Sequence, residues 1–235
     1  MFSFKYETRY GDYKDYDNIK PGSVLDMIQD ISTRASADCG YSMDRLREMK
    51  IAWLLQGINV HFDAPIRPDM PIRIYTAIKP CNGVTSERCC LIHQNGKCVG
   101  KSIANWFVFS TERQRPVRIP KEMLSAYEVY PFDDEFYTYR KTDTYQIQEV
   151  AYTIKVSNKE IDTNKHMNNQ RGAELLMDAL PYDFYFNEIN ILYKKPTYLG
   201  NILDVCIKEL DDGYYVHLQT SEKELCVAGT FRYIK

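Results

Sequence analysis

Hydrophobic and polar positions alternate along several short stretches of the chain. Apolar residues occupy every second position from Ile58 to Phe62, and β-branched residues do so from Ile72 to Ile78. Because successive side chains of a strand point to opposite faces, these stretches predict half-buried β-strands. The dipeptides Asn95-Gly96 and Asp212-Gly213 are typical of two-residue hairpin turns, so they predict antiparallel pairing.

Two other segments have the spacing of amphipathic helices. The first can be capped by Ser23 and ended by Gly40, and the second can be capped by Asn168 or Asn169 and ended by Pro181. The apolar residues that share one side of the first are Leu25, Ile28, Ile31 and Ala35. The apolar residues of the second are Ala173, Leu175, Leu176, Met177 and Leu180.

The chain contains an internal repeat, which is best sought before any fold is assigned. Ile58 to Pro65 corresponds to Ile189 to Pro196, and Ile72 falls on Leu203 at the same offset. A helix precedes the strands in each half, and a closing aromatic strand follows them. An apolar helix against one face of an antiparallel sheet predicts an α+β architecture in each half.

The boundaries of the two halves follow from this repeat. We expect an amino-terminal half at residues 1–130, a linker at 131–147 and a carboxy-terminal half at 148–235. The linker region is rich in Asp, Glu and Tyr, which is typical of a connection between two packed cores.

Charge and composition exclude several classes of function. The 235 residues have a formal net charge of −2, with basic residues scattered among acidic ones, which argues against a nucleic-acid-binding protein. No run of about 18 apolar residues is present, so no membrane span is expected. The first ten residues lack the pattern of a signal peptide.

The seven cysteines predict neither a disulfide framework nor a zinc site. Their number is odd, and no pair has the C-x-x-C spacing. Buried free thiols in a reducing compartment are the simplest interpretation, which makes a cytoplasmic protein the expectation.

The densest run of polar residues extends from Asp162 to Asn169, just before the second predicted helix. If this stretch is extended, Asp162, Asn164 and His166 point to one side. Asp can then orient the imidazole, His can move protons near neutral pH, and Asn can hold a water or the substrate. Backbone N–H groups at Asn168 and Asn169 could stabilise an oxyanion. A polar turn in which Asn168 only caps the helix fits the same residues.

The sequence of this polar run resembles the signature of acyl-acyl-carrier-protein (acyl-ACP) thioesterases of plants and bacteria. In single-letter code the run is DTNKHMNN, from Asp162 to Asn169. Other stretches that resemble the same family are Tyr6–Tyr10, Ile28–Asp30, Ala52–Leu55, Ala104–Val108 and Arg113–Pro120.

The resemblance implies a tandem double hotdog, in which each half wraps a sheet around one long helix. It implies that Asp162, Asn164 and His166 are catalytic, and that the chain hydrolyses the thioester of fatty acyl-ACP to release free fatty acid and the carrier protein. The amino-terminal half is expected to shape the acyl pocket, with Met27 and Trp53 as lining residues or as ordinary core residues. No metal or bound cofactor is expected, because the phosphopantetheine arm arrives with the substrate.

One departure from the family makes the catalytic base uncertain at this point. Plant members have Glu-Cys shortly after a Tyr-Arg-Arg stretch, whereas Tyr193-Lys194-Lys195 is followed here by Pro196-Thr197. Neither a carboxylate base nor a thiol can come from those two positions. Two alternatives stay open: a thioesterase for acyl-coenzyme A, and a non-catalytic acyl-binding module. A homodimer stays open as well.

Overall fold

A computed structural model describes residues 1–81, 83–132 and 135–234 of the chain. The chain divides into two units: Met1–Gln56 with Val60–Tyr139, and Gly57–Asn59 with Arg140–Lys235. The predicted linker at 131–147 includes residues 133 and 134, which lie outside the described residues. No helix among the described residues is long and apolar enough to cross a membrane.

The first unit places a long helix beside an antiparallel sheet. Its strands are β1 (Phe2–Tyr6), β2 (Ile51–Phe62, shared in part with the second unit), β3 (Ile72–Ile78), β4 (Thr85–Gln94), β5 (Lys97–Ser110) and β6 (Arg115–Val117). Its helices are α1 (Pro21–Asp38), α2 (Met43–Glu48) and α3 (Lys121–Ala126). The strand order is β1-β3-β4-β5-β2, and β6 pairs with β5. β4 and β5 form a hairpin at Asn95 and Gly96, which both have positive φ as such a turn requires.

Helix α1 buries the side that its apolar spacing predicts. Ile28 and Ile31 are fully or almost fully buried, and the helix contacts β1 and β3. The predicted cap at Ser23 is wrong, because the helix begins two residues earlier at Pro21. Proline is favoured in the first turn of a helix, since its fixed φ suits the helix and its missing N–H is not needed there.

The second unit repeats this arrangement with a shorter helix. It contains β7 (Tyr152–Lys155), α4 (Asn169–Met177), β8 (Glu188–Tyr193), β9 (Ile202–Leu210), β10 (Gly213–Thr220) and β11 (Leu225–Arg232). The strand order is β8-β11-β10-β9-β7, with every neighbouring pair antiparallel. Helix α4 packs on β10 and β11. It ends at Met177, four residues before Pro181, so Leu180 lies in the turn that follows.

The turn between β9 and β10 differs by one residue from the predicted one. Leu210 pairs with Gly213 across the hairpin, so Asp211 and Asp212 form the turn and Gly213 is the first residue of β10. A Cβ atom at Gly213 would lie 2.0 Å from the Phe231 carbonyl oxygen. Glycine is therefore required at this position for the close approach of β11.

Candidate active site

The polar run from Asp162 to His166 forms a tight turn between β7 and α4. The Asp162 N–H donates to the His166 carbonyl at 3.0 Å, and the Lys165 N–H donates to the Asp162 carbonyl at 3.0 Å. Lys165 has a φ of +66°, which reverses the chain. Of the two conformations that the sequence left open, the extended one is therefore wrong and the polar turn is observed. Strand alternation cannot be what brings polar side chains together here.

The turn nevertheless brings the carboxylate and the imidazole close to each other. Asp162 Oδ1 lies 3.8 Å from His166 Nδ1, and the two side chains are 20% and 26% exposed. The same carboxylate oxygen accepts the Asn164 N–H at 2.7 Å, which fixes its orientation. At 3.8 Å the imidazole is a short movement away from a hydrogen bond, and such contacts often tighten when substrate binds.

Asn164 contributes to the turn through its backbone N–H and not through its side chain. Its N–H holds the Asp162 carboxylate, while its side chain lies in the exposed part of the turn. The expectation that Asp162, Asn164 and His166 point to one side of a strand does not hold. A role of the Asn164 carboxamide in placing water or substrate stays a prediction.

Backbone hydrogen bonds anchor both ends of the turn. The Met167 N–H donates to the Thr197 carbonyl at 2.8 Å, and the Asn168 N–H donates to the Glu160 carbonyl at 2.8 Å. The buried Glu160 carboxylate in turn accepts both the N–H and the hydroxyl of Ser157 at 2.7 Å. These hydrogen bonds lower the pKa of Glu160 against the opposing effect of burial. Residues on both sides of the turn are thus fixed before any substrate binds.

The amino-terminal end of α4 offers fewer free N–H groups than the sequence suggests. Asn168 is the N-cap, and its side-chain oxygen accepts the Gln170 N–H at 2.8 Å. The Asn168 N–H is already paired with Glu160, so the expectation of an oxyanion donor at Asn168 is wrong. The N–H of Asn169 has no hydrogen-bond partner among the described residues and stays the oxyanion candidate.

Thr197 contributes to the site in a way that the sequence did not reveal. Sequence comparison with the family identifies it only as the residue that stands where a cysteine is missing. In the structure it is 2% exposed, its carbonyl holds the Met167 N–H, and its hydroxyl has no hydrogen-bond partner among the described residues. A buried hydroxyl without a partner is uncommon in proteins and calls for an explanation. The signal in the sequence that could have pointed to Thr197 is that it stands where plant members of the family have a cysteine.

The two expected pocket residues lie in the interior of the first unit. Met27 is buried on α1. Trp53 on β2 is half-buried, and its indole N–H donates to the Tyr127 hydroxyl at 3.3 Å. Both positions are compatible with core packing, so their contact with an acyl chain stays a prediction.

The thiols of the second unit do not have the character of nucleophiles. Burial raises the pKa of Cys206, and it raises the pKa of Cys226 to about 11. Both are therefore protonated near neutral pH, whereas a nucleophilic cysteine acts as the thiolate. Among residues 1–81, 83–132 and 135–234, no group of His, Cys, Asp and Glu has the arrangement of a metal site.

Comparison with known proteins identifies relatives over nearly the whole chain. The family model described as the acyl-ACP thioesterase N-terminal domain matches residues 1–127, and the one described as the acyl-ACP thioesterase C-terminal domain matches residues 141–229. A search of curated proteins gave no significant match.

Two solved structures share the fold of this chain. An acyl-ACP thioesterase from Bacteroides thetaiotaomicron is 15% identical with a TM-score of 0.89, over 98% of this chain and 96% of that one. A 12:0-ACP thioesterase from Umbellularia californica is 13% identical with a TM-score of 0.85, over the same two fractions. The expected α+β double hotdog is thereby confirmed.

Proposed function

The chain belongs to the acyl-ACP thioesterase family, and on that premise we propose that His166 and Asp162 carry out its reaction. The enzyme hydrolyses the thioester that joins an acyl chain to acyl-carrier protein. The observation that supports these two residues is the approach of Asp162 Oδ1 to His166 Nδ1 at 3.8 Å, within a turn anchored beside the start of α4.

His166 acts as the general base in this proposal. A water oxygen attacks the thioester carbonyl carbon while the imidazole takes one of its protons. Negative charge develops on the carbonyl oxygen, and collapse of this intermediate breaks the C–S bond. The proton on His166 passes to the departing sulfur, which leaves as the thiol of the phosphopantetheine arm. The acyl group leaves as the free acid.

Asp162 and the start of α4 stabilise the charges that this reaction creates. The carboxylate holds the imidazole in one tautomer and stabilises the imidazolium that forms. The Asn169 N–H points from the first turn of a helix, where the helix dipole favours negative charge, and it serves as the oxyanion donor. The reaction uses no metal or bound cofactor.

The Thr197 hydroxyl completes the site as a holder of the attacking water. It stands where the family has a cysteine, and its backbone is bonded to the residue that follows His166. Its buried hydroxyl has no protein partner among the described residues. In this proposal the attacking water takes its place once substrate is bound, and the Thr197 hydroxyl, unpaired until then, would hydrogen-bond to it and orient it.

Acyl-carrier protein is preferred over coenzyme A because of an exposed basic segment in the first unit. Arg113, Arg115, Arg118 and Lys121 are all exposed. None of them forms an ion pair with a described residue. Carrier protein is acidic, so unpaired positive charge accelerates and orients its docking.

A panel of acyl-ACP and acyl-coenzyme A thioesters of matched chain length tests this function. We expect release of free fatty acid with a higher kcat/KM from acyl-ACP. The double variant Arg115→Gln/Arg118→Gln should raise KM for acyl-ACP more than for acyl-coenzyme A. The matched control Lys14→Gln/Lys97→Gln, at exposed positions elsewhere, should change neither. Equal or better turnover of coenzyme A esters would contradict the preference, and no turnover of either would favour a binding module.

A further inference from the structure

An arginine is buried inside the first unit, and no acidic residue in the described part of the chain pairs with it. Arg88 on β4 is 7% exposed. Its Nη1 donates to the Thr76 hydroxyl at 3.3 Å, and its guanidinium carbon lies 5.4 Å from the centre of the Tyr127 ring. No carboxylate among the described residues is within ion-pairing distance of it. A guanidinium has five N–H donors, and among the described residues the Thr76 hydroxyl alone accepts one of them.

The surroundings of Arg88 offset only part of its charge. Cys39, at the carboxy-terminal cap of α1, is near Arg88, but burial raises the pKa of its thiol, so it is protonated and supplies no negative charge. The end of a helix provides the equivalent of about half a negative charge, and the face of the Tyr127 ring adds a weak cation–π attraction. Burial lowers the pKa of Arg88. A buried cation that lacks a full counter-charge is unfavourable, because it has lost its hydration.

A second unused donor lies on the same face of the sheet. In the β4–β5 register, Arg88 is opposite Ala104 and Ser86 is opposite Trp106. Residues opposite each other in a sheet share a face, so Trp106 is on the same face as Ser86. Ser86 and Arg88 are two positions apart on β4 and also share a face. Trp106 and Arg88 are therefore diagonal neighbours on one face. The Trp106 indole N–H is buried and has no acceptor among the described residues. An indole nitrogen can only donate.

This face of the sheet lies toward α1, where the acyl chain is expected. Tyr127, which stacks over Arg88, shares a 2.6 Å hydrogen bond with the Ser36 hydroxyl of α1. The Tyr127 hydroxyl also accepts from Trp53, one of the two expected pocket residues. The unused donors thus lie in the interior between helix and sheet.

We propose that Arg88 and Trp106 bind a carboxylate at the far end of the acyl chain, so that the enzyme acts on ACP thioesters of dicarboxylic acids. The inference rests on the proposed acyl-ACP thioesterase function and on binding of the acyl chain in the first unit. A carboxylate can accept two parallel hydrogen bonds from the guanidinium, neutralise its charge and accept from the indole as well. A methyl terminus leaves these donors unpaired, and sites with buried donors discriminate strongly against ligands that cannot satisfy them.

Two acyl-ACP substrates of equal chain length, one ending in methyl and one in carboxylate, test this inference. The wild type should hydrolyse the carboxylate-ended substrate with a kcat/KM at least about 10²-fold higher. Arg88→Met should lower kcat/KM for the carboxylate-ended substrate by about 10²-fold or more. Its kcat/KM for the methyl-ended substrate should be unchanged or higher. The matched control Arg73→Met removes an exposed arginine of β3 and should leave both values unchanged.

Several outcomes would overturn the inference. One is a wild-type preference for the methyl-ended substrate, which leaves the thioesterase function standing and removes only the carboxylate site. Another is an equal loss on both substrates in a folded Arg88→Met protein, which would make Arg88 structural. If Arg88→Met does not fold, Arg88→Lys retains the charge without the bidentate fork. An unchanged substrate ratio in that variant contradicts the proposal. If neither substrate is hydrolysed, the thioesterase function itself fails.

Discussion

The replacement of Thr197 by valine should separate stability from activity. Valine has nearly the same shape as threonine but lacks the hydroxyl, which in this fold is buried without a partner among the described residues. A buried polar group without a hydrogen bond destabilises a protein by about 1–3 kcal/mol. The variant should therefore be more stable than the wild type by a similar amount. For a chain of this size that corresponds to a Tm increase of at least about 2 °C.

The activity of the same variant should fall, because the attacking water loses one of its holders. We expect kcat on acyl-ACP to decrease by about 10-fold or more, since a small misplacement of a reacting group is costly. Thr197→Ser keeps the hydroxyl and serves as the control, with kcat near the wild-type value. Tm by calorimetry and kcat by fatty-acid release are measured on all three proteins. A Thr197→Val protein with full kcat would refute the catalytic role, and a decrease in its Tm would show that the hydroxyl is already satisfied in the fold.

Three further predictions concern the turn and the thiols. Asp162→Asn should lower kcat by about 10²-fold or more, because a neutral amide cannot stabilise the imidazolium of His166; near-normal kcat would argue against this pairing. The pKa of Glu160 is lower in the folded protein than in the unfolded chain. The hydrogen bonds from Ser157 to the Glu160 carboxylate therefore stabilise the fold at pH values above the unfolded-state pKa. This stabilisation is lost as the pH falls through the folded-state pKa. Ser157→Ala, compared with the wild type by thermal melts across this range, should therefore be less stable at neutral pH and should lose less stability on acidification. Thiol-blocking reagents under native conditions should leave most activity intact; a loss in proportion to one modified cysteine in a folded protein would contradict the water mechanism.

Sequence periodicity predicted the repeated arrangement of helix and sheet because the buried side of each element has to be apolar. The alternating residues of β3 and the apolar side of α1 face the interior of the first unit, as their spacing requires. The start of α1 was misplaced because Ser23 and Pro21 are both favourable near a helix start, and the sequence does not rank them. The turn of β9 and β10 was shifted by one residue because Gly213 is needed for a close backbone approach rather than for the turn.

The sequence indicated which residues to consider for the candidate site, but it did not predict how they are arranged. The motif identified Asp162 and His166, but the conformation that joins them depends on the positive φ of Lys165, which residue type alone does not predict for a lysine. Asn168 is lost as an oxyanion donor because its N–H donates to the carbonyl of Glu160, eight positions earlier. The burial of Arg88 away from every described carboxylate likewise could not be predicted, because only the fold shows which charged residues come together.

The most direct test of the central claim is the pH dependence of kcat/KM for acyl-ACP, in the wild type and in His166→Ala. A general base must be neutral to accept a proton, so protonation of the imidazole stops the reaction. The wild-type activity should therefore fall as the pH is lowered. His166→Ala should fold normally, lose at least about 10²-fold in kcat, and show no such acid limb in its residual activity. Near wild-type kcat in the variant, or an unchanged acid limb, would contradict the assignment of His166 as the base.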